Sequence, residues 1–172
     1  LNEISQYNKS HNKGPADDNA RLIYDLTILI SKLPNYLAYK EKQNISKNEI
    51  ALKAKAYNKV EYYADGRIAF LQISKEDMAE TGTNDDDLSG LAPFLRTIKG
   101  VSVGILVKPG KLYGQCRISL RSDEHCDVNA VATAFGGGGH KRAAGLVYSP
   151  ENGMLFEEYK EKLIGEVRKW MV

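Results

Sequence analysis

Ten consecutive residues hold the densest chemistry in the chain: Gly136-Gly137-Gly138-Gly139-His140-Lys141-Arg142-Ala143-Ala144-Gly145. Four glycines in a row leave no Cβ to keep a ligand off the backbone, and each can take φ > 0. Such a run can turn successive N–H groups toward one point and so build an anion-binding nest. His140, Lys141 and Arg142 set a titratable ring and two fixed charges beside those donors. Ordering four glycines carries a large entropic cost, and a phosphate-bearing ligand is the natural compensation. A flexible linker would run Gly/Ser without a basic cluster in register. The combination therefore points to phosphate. Beside two cations the protonated form of His140 is disfavoured, so a neutral ring donating to a phosphate or sugar oxygen is the expected role.

A second group lies upstream. Arg121 ends an apolar-alternating stretch, and its planar fork suits a phosphate bidentately. Ser122 adds a hydroxyl. Arg117 and Ser119 share the parity of Arg121, so on a strand the three form a polar floor if that face borders the glycine run. Arg117 by itself reads as an ordinary exposed strand residue. Other chemistries fail on spacing. No Ser or Thr follows a Lys as a Walker A loop requires, and no GxGxxG opens a helix. Cys116, His125, Cys126 and His140 lack the CxxC or HxxxH clip of a zinc site. Asp85, Asp86 and Asp87 are adjacent, whereas helical ligands that face together lie three or four apart.

These residues need elements to place them. Helical spacing of Leu22, Ile23, Leu26, Leu29, Ile30 and Leu33 predicts a helix that Pro34 ends, with a further helical turn over 36–43. Ser46 with Glu49 predicts a capped helix over 47–57 that presents Ile50, Ala51, Ala54 and Tyr57 on one face. Val60 to Tyr62 and Arg67 to Ile73 read as strands joined at Ala64-Asp65-Gly66. Ser74 caps a helix over 75–80 that Gly82 stops. A longer helix over 86–98 is expected, then a strand over 101–107. A turn at Pro109-Gly110 leads to a strand over 114–121, with Cys116, Ile118 and Leu120 facing one way. Asp127 caps a helix bearing Val128, Val131, Ala132 and Phe135. Leu146 to Tyr148 is a last strand. A terminal amphipathic helix follows, with Phe156, Tyr159, Leu163, Val167 and Trp170 as its stripe. The fold class is α/β: a mixed sheet of about five strands flanked by helices, with an N-terminal helical linker. Residues 1–57 read as polar tail and linker helices, and 58–172 as the domain.

A net charge of +2 raises no global basic field, so any nucleic-acid signal is local. No apolar run reaches the roughly 20 residues of a membrane span, and no secretory signal is visible. With two cysteines and no disulfide framework, a cytoplasmic setting is expected. The first residue is Leu1 rather than Met, as in a fragment or in a chain whose start has been processed away.

Phe135 followed by GGGGHKRAAG resembles the signature of the DHH-associated domain, type one, of DHH-family phosphoesterases. Ile118 to Ser122, Asp127 to Asn129, Asp65 to Ala69 and Ile98 to Val101 extend the likeness in order. It covers residues 58–149 well and the first forty-odd poorly. The branch it resembles is that of the nanoRNases and 3′-phosphoadenosine-5′-phosphate phosphatases. The resemblance implies a substrate-binding half. It grips a short RNA or a nucleotide phosphate through Arg121, Ser122, Gly136, Gly137, Gly138, Gly139, His140, Lys141 and Arg142. Catalysis falls to an N-terminal DHH domain holding two ions, usually manganese, with an Asp-His-His run that does not occur here. No catalytic or metal-binding residue is therefore expected in this chain. Its partners are that catalytic domain and the substrate, not a membrane, and a homodimer is left open. Two other readings remain: a non-enzymatic RNA-binding module, as in the appendages of alanyl-tRNA synthetases, and a cyclic-dinucleotide phosphodiesterase domain. Against the module, no interleaved aromatic-basic stretch offers a stacking platform.

Overall fold

The computed structural model describes residues 45–172; the helices expected over 17–33 and 36–43 lie outside them. Six strands form one mixed sheet in the order β1-β2-β3-β4-β6-β5. They are β1 (Glu61–Tyr63), β2 (Ile68–Gln72), β3 (Val103–Pro109), β4 (Cys116–Ser122), β5 (Gly138–His140) and β6 (Ala143–Tyr148). Only β2 and β3 pair in parallel; the other neighbours are antiparallel. The extra strand over the five expected is β5, made of residues read as loop. The helices are α1 (Lys47–Tyr57), α2 (Lys75–Thr81), α3 (Leu91–Thr97), α4 (Val128–Ala134) and α5 (Phe156–Trp170).

Two cores sandwich the sheet. On one face Ile68, Phe70, Val103, Ile105, Val107, Ile118, Leu120, Leu146 and Tyr148 pack under Val128 and Val131 of α4 and Leu163 and Val167 of α5. On the other, Ala69, Leu71 and Leu106 meet Leu52 and Ala56 of α1 and Leu91 and Leu95 of α3. The interior strand β2 is buried at four of its five positions, the continuous apolar run that a strand covered on both faces requires. In β4 burial alternates, with Ile118 and Leu120 buried and Arg117, Ser119 and Arg121 partly open. Gly104 lets α3 seat low: a Cβ there would stand 2.7 Å from the Leu95 Cβ.

Three expectations change. Helix α1, read as linker, contributes to the core, and its buried face is Leu52 and Ala56, while Ile50 and Tyr57 are exposed. Four apolar residues on the opposite flank misled the periodicity; the tertiary partner decides which side is covered. The helix expected over 86–98 is a short 3-10 turn at Asp86–Leu88, then α3 after Gly90. Trp170, placed in the apolar stripe of α5, is half exposed and donates its indole N–H to Glu166 at 3.0 Å.

The start of α2 is tied to α1. Ser74 Oγ accepts from the Asp77 amide at 3.1 Å, and Asp77 Oδ2 accepts from the Ser74 amide at 2.9 Å. This closes a capping box. Asp77 also meets Lys59 at 2.5 Å and Lys55 at 3.0 Å. Burial opposes its ionisation, but the Lys59 ammonium, the Ser74 amide and Lys55 outweigh that and hold the carboxyl far below the usual range. A depressed folded pKa contributes stability above the ordinary carboxylate pKa and loses it as pH falls toward the folded value. Asp77→Ala is expected to lower unfolding free energy by about 1–2 kcal/mol at neutral pH, read by urea denaturation. The variant's stability is expected to fall less steeply than the native chain's below about pH 4. Parallel acid limbs would contradict this role for Asp77.

Candidate functional site

The glycine run resolves into a helix stop and a strand. Gly136 is left-handed, with φ 74°. Its amide donates to Thr133 O at 3.1 Å, and that of Gly137 to Ala132 O at 2.8 Å, the double closure of a Schellman motif at the end of α4. Gly137 then runs against β6, where a Cβ would stand 2.3 Å from Gly145 O and 2.6 Å from the Leu146 Cβ. At Gly139 a Cβ would stand 2.5 Å from Ala143 O. Asn129, just behind the Asp127 cap of α4, accepts the Gly139 amide on Oδ1 at 2.8 Å. The amides of Gly136, Gly137 and Gly139 are thus already engaged. The nest of convergent N–H groups expected from the sequence does not form, because helix closure and Asn129 take those donors.

Gly138 stands apart. The nearest atom to a Cβ there would be Asn129 Oδ1 at 3.9 Å, and its φ is not left-handed. Its register partner Gly145 has comparable room, with Ile118 O at 3.5 Å. Both are exposed. Neither the turn geometry nor the packing demands glycine at these two positions.

Register places them with the polar residues of β4. Across the sheet one row reads Leu71, Leu106, Ser119, Gly145, Gly138; the next reads Ala69, Gly104, Arg121, Ala143, His140; a third holds Lys108, Arg117 and Val147. Directly paired residues share a face. So Arg117, Ser119, Arg121, Gly145, Gly138 and His140 lie on the α3 side. There α3 covers the β2 and β3 end, while Gly145, Val147, Gly138 and His140 are exposed. Arg121 and His140 sit two strands apart, about 9–10 Å, with Ala143 between them and the side-chain-free Gly145–Gly138 pair in the adjacent row. The Arg121 guanidinium donates to Leu120 O at 2.9 Å and has no acidic partner within ion-pair distance among the described residues. Arg117 is engaged, with Asp85 at 2.5 Å.

The remaining expected site residues lie elsewhere. Ser122 is turned to the other face and buried, its hydroxyl donating to Cys126 O at 2.8 Å. Strand alternation sends it away from Arg121, so it leaves the site. Lys141 and Arg142 form the two-residue turn between β5 and β6 and border a small hollow with Asp123, Glu124 and Cys126. Their carbonyls accept from Val128 N at 3.0 Å and Ser122 N at 3.1 Å, which anchors the hairpin to α4 and β4. Gly138 is among the residues expected from the sequence, whereas its partner Gly145 and the Asn129 clamp are not. The signal for the strip is glycine at equal parity on paired strands, which needs the register to be read.

Among the described residues no group of three or more His, Cys, Asp or Glu side chains is placed to hold a metal. These residues do not form the donor set of a two-metal centre, and no step through a metal is derived from them. No described helix is long and apolar enough to cross a membrane. Burial pushes the Cys126 thiol up to about 11.

The DHHA1 domain family matches residues 65–171, and the chain belongs to that family. An exopolyphosphatase-related protein from Bacteroides fragilis is similar over 87% of this chain and 43% of its own, at 22% identity and TM-score 0.69. PggH, a pGpG-specific phosphodiesterase from Vibrio cholerae, is similar over 72% of this chain and 40% of its own, at 15% identity and TM-score 0.51. The chain thus spans less than half the length of either. No curated protein matches by sequence.

The packed and the open glycine environments separate by substitution. Gly137→Ala is expected to cost about 2 kcal/mol or more, and Gly138→Ala to stay within about 0.5 kcal/mol, both by chemical denaturation. Equal destabilisation would mean that Gly138 is glycine for the fold's sake.

Proposed function

We propose that this chain is the substrate-binding part of a metal-dependent phosphoesterase acting on short oligoribonucleotides or 3′-phosphoadenosine-5′-phosphate. The observation that carries the reading is the opposed pair Gly138 and Gly145 on an exposed face. They are glycines without a structural reason, in the row beside that of Arg121, Ala143 and His140. Glycine is used where a ligand must approach the backbone closely. Arg121 supplies a two-pronged cationic fork for a phosphate. His140 donates from the β5 end of Arg121's row, and Ser119 adds a hydroxyl on the floor. Sugar or base then lies on the flat glycine strip beside them. Lys141 and Arg142, at the hairpin tip, raise the local potential that draws an anion in.

Hydrolysis itself is assigned to a DHH domain outside this chain, with manganese supplying the metal chemistry there. Binding at a fixed remove from the metals positions the scissile bond, and positioning of this kind lowers the barrier. Family membership supports the phosphoester class. The substrate in the name of the similar Vibrio cholerae protein, pGpG, is a dinucleotide, which accords with a strip that holds short chains.

The test is titration of the 172-residue chain with 5′-AMP by calorimetry. Loss of one charge-assisted contact is worth about 1.5–3 kcal/mol, so Arg121→Ala is expected to weaken binding about 10- to 100-fold. Arg121→Lys is expected to recover little, because a point charge does not replace the fork. Unchanged affinity in Arg121→Ala would remove Arg121 from the site. A steep salt dependence for long RNA, with no binding of 5′-AMP, would favour an RNA-binding module instead.

A further inference from the structure

Beyond Arg121, the same face of β4 carries a second cationic position, and its partner is unusual. Arg117 lies four residues along the strand, about 13 Å from Arg121 at strand rise. Lys108 is its register partner on β3. Like charges directly opposite each other repel, so this pair requires an anion. Asp85, just ahead of the 3-10 turn that leads into α3, supplies it. A single oxygen, Oδ1, lies 2.5 Å from Arg117 Nη2 and 3.2 Å from Lys108 Nζ. Two cations share one carboxylate, leaving one positive charge uncompensated. Donors are also left over: an arginine has five N–H groups and a lysine three. Beyond this, Arg117 Nε reaches only Pro109 O, at 3.4 Å. The Asp85 side chain is half exposed, so the contact is a surface ion pair, which contributes little stability and is easily traded. Val147, the neighbour of Arg117 in this row, leaves an apolar surface 49% exposed.

We infer that Arg117 and Lys108 form a second phosphate subsite, for which Asp85 is the resident counterion, so that the face takes an oligonucleotide with a further phosphate in preference to a mononucleotide. The inference rests on the phosphate reading of Arg121. One phosphate cannot span the distance between the two arginines. A chain of nucleotides lying along β4 can, crossing the Ser119–Gly145–Gly138 strip and setting a base on Val147. Binding displaces Asp85 or shares the two cations with it.

The experiment compares two probes, 5′-AMP and 5′-phosphorylated triadenylate, on the 172-residue chain, by calorimetry over a series of salt concentrations. Arg117→Ala is expected to weaken triadenylate about tenfold and leave 5′-AMP within about twofold. The slope of log affinity against log salt for triadenylate is expected to shrink by about 0.7. Arg117→Lys keeps the charge and is expected to keep the slope. Asp85→Asn removes the competing anion and is expected to tighten triadenylate several-fold with 5′-AMP unchanged. Arg117→Ala leaving triadenylate and its salt slope unaltered, or weakening both probes alike, would overturn the second subsite. If instead Arg121→Ala leaves both probes unaltered while Arg117→Ala weakens triadenylate, the first phosphate reading fails. Arg117 would then act in a different site.

Discussion

The close approach of a glycine strand to β6 is the constraint on which the rest depends. Gly137 and Gly139 lie so near the backbone of β6 that any Cβ would strike Gly145 O or Ala143 O. That contact sets β5 at the sheet edge in a single register. Strand parity makes register decisive, since a slip of one residue would exchange every side chain between the two faces. Three further ties resist a slip: the Schellman closure at Gly136 and Gly137, the Asn129 carbonyl on the Gly139 amide, and the anchored carbonyls of Lys141 and Arg142. With the register held, Gly138 must face Gly145, and His140 must stand in the row of Arg121.

Unequal covering of the sheet turns that register into a candidate site. One face is roofed by α4 and α5 over its whole apolar surface. On the other, α1 and α3 cover the β2 and β3 end. Gly104 lets α3 sit low there, and its register partner on β4 is Arg121. The open part is uncovered because β4 and β6 are one-sided strands: both are apolar toward α4, while toward solvent β4 presents Arg117, Ser119 and Arg121 and β6 presents Ala143, Gly145 and Val147. An exposed strip of backbone flanked by cations is a poor surface for packing and a good one for a planar, phosphorylated ligand.

Much of this was legible in the sequence, for local reasons. Ser74, Asp77 and Gly82 bound α2 through capping and a left-handed stop. The stretch Ala64-Asp65-Gly66 turns with all three residues at positive φ. Alternation in β4 separated Ile118 and Leu120 from Arg117, Ser119 and Arg121. The same alternation excludes Ser122 from the face of Arg121, a consequence of the two-residue strand period alone. What was not legible is non-local. A glycine needed for a left-handed stop, one needed for close contact and one open to a ligand look identical in sequence. Only the neighbours of Gly136, Gly137 and Gly138 tell them apart. The pairing of Asp85 with Arg117 joins residues 32 positions apart and leaves no mark on local spacing. The buried flank of α1 was misjudged because the partner surface, not the helix, selects Leu52 and Ala56.

The most direct measurement is an amide-resolved NMR titration of the chain with 5′-AMP. The account expects the largest shift changes at Gly138, Gly139, Gly145 and Arg121, with Val131 and Leu163 on the opposite face unmoved. Changes centred elsewhere, such as around Tyr113 at the far end of the sheet, would contradict the claim that the glycine strip beside Arg121 and His140 receives the nucleotide.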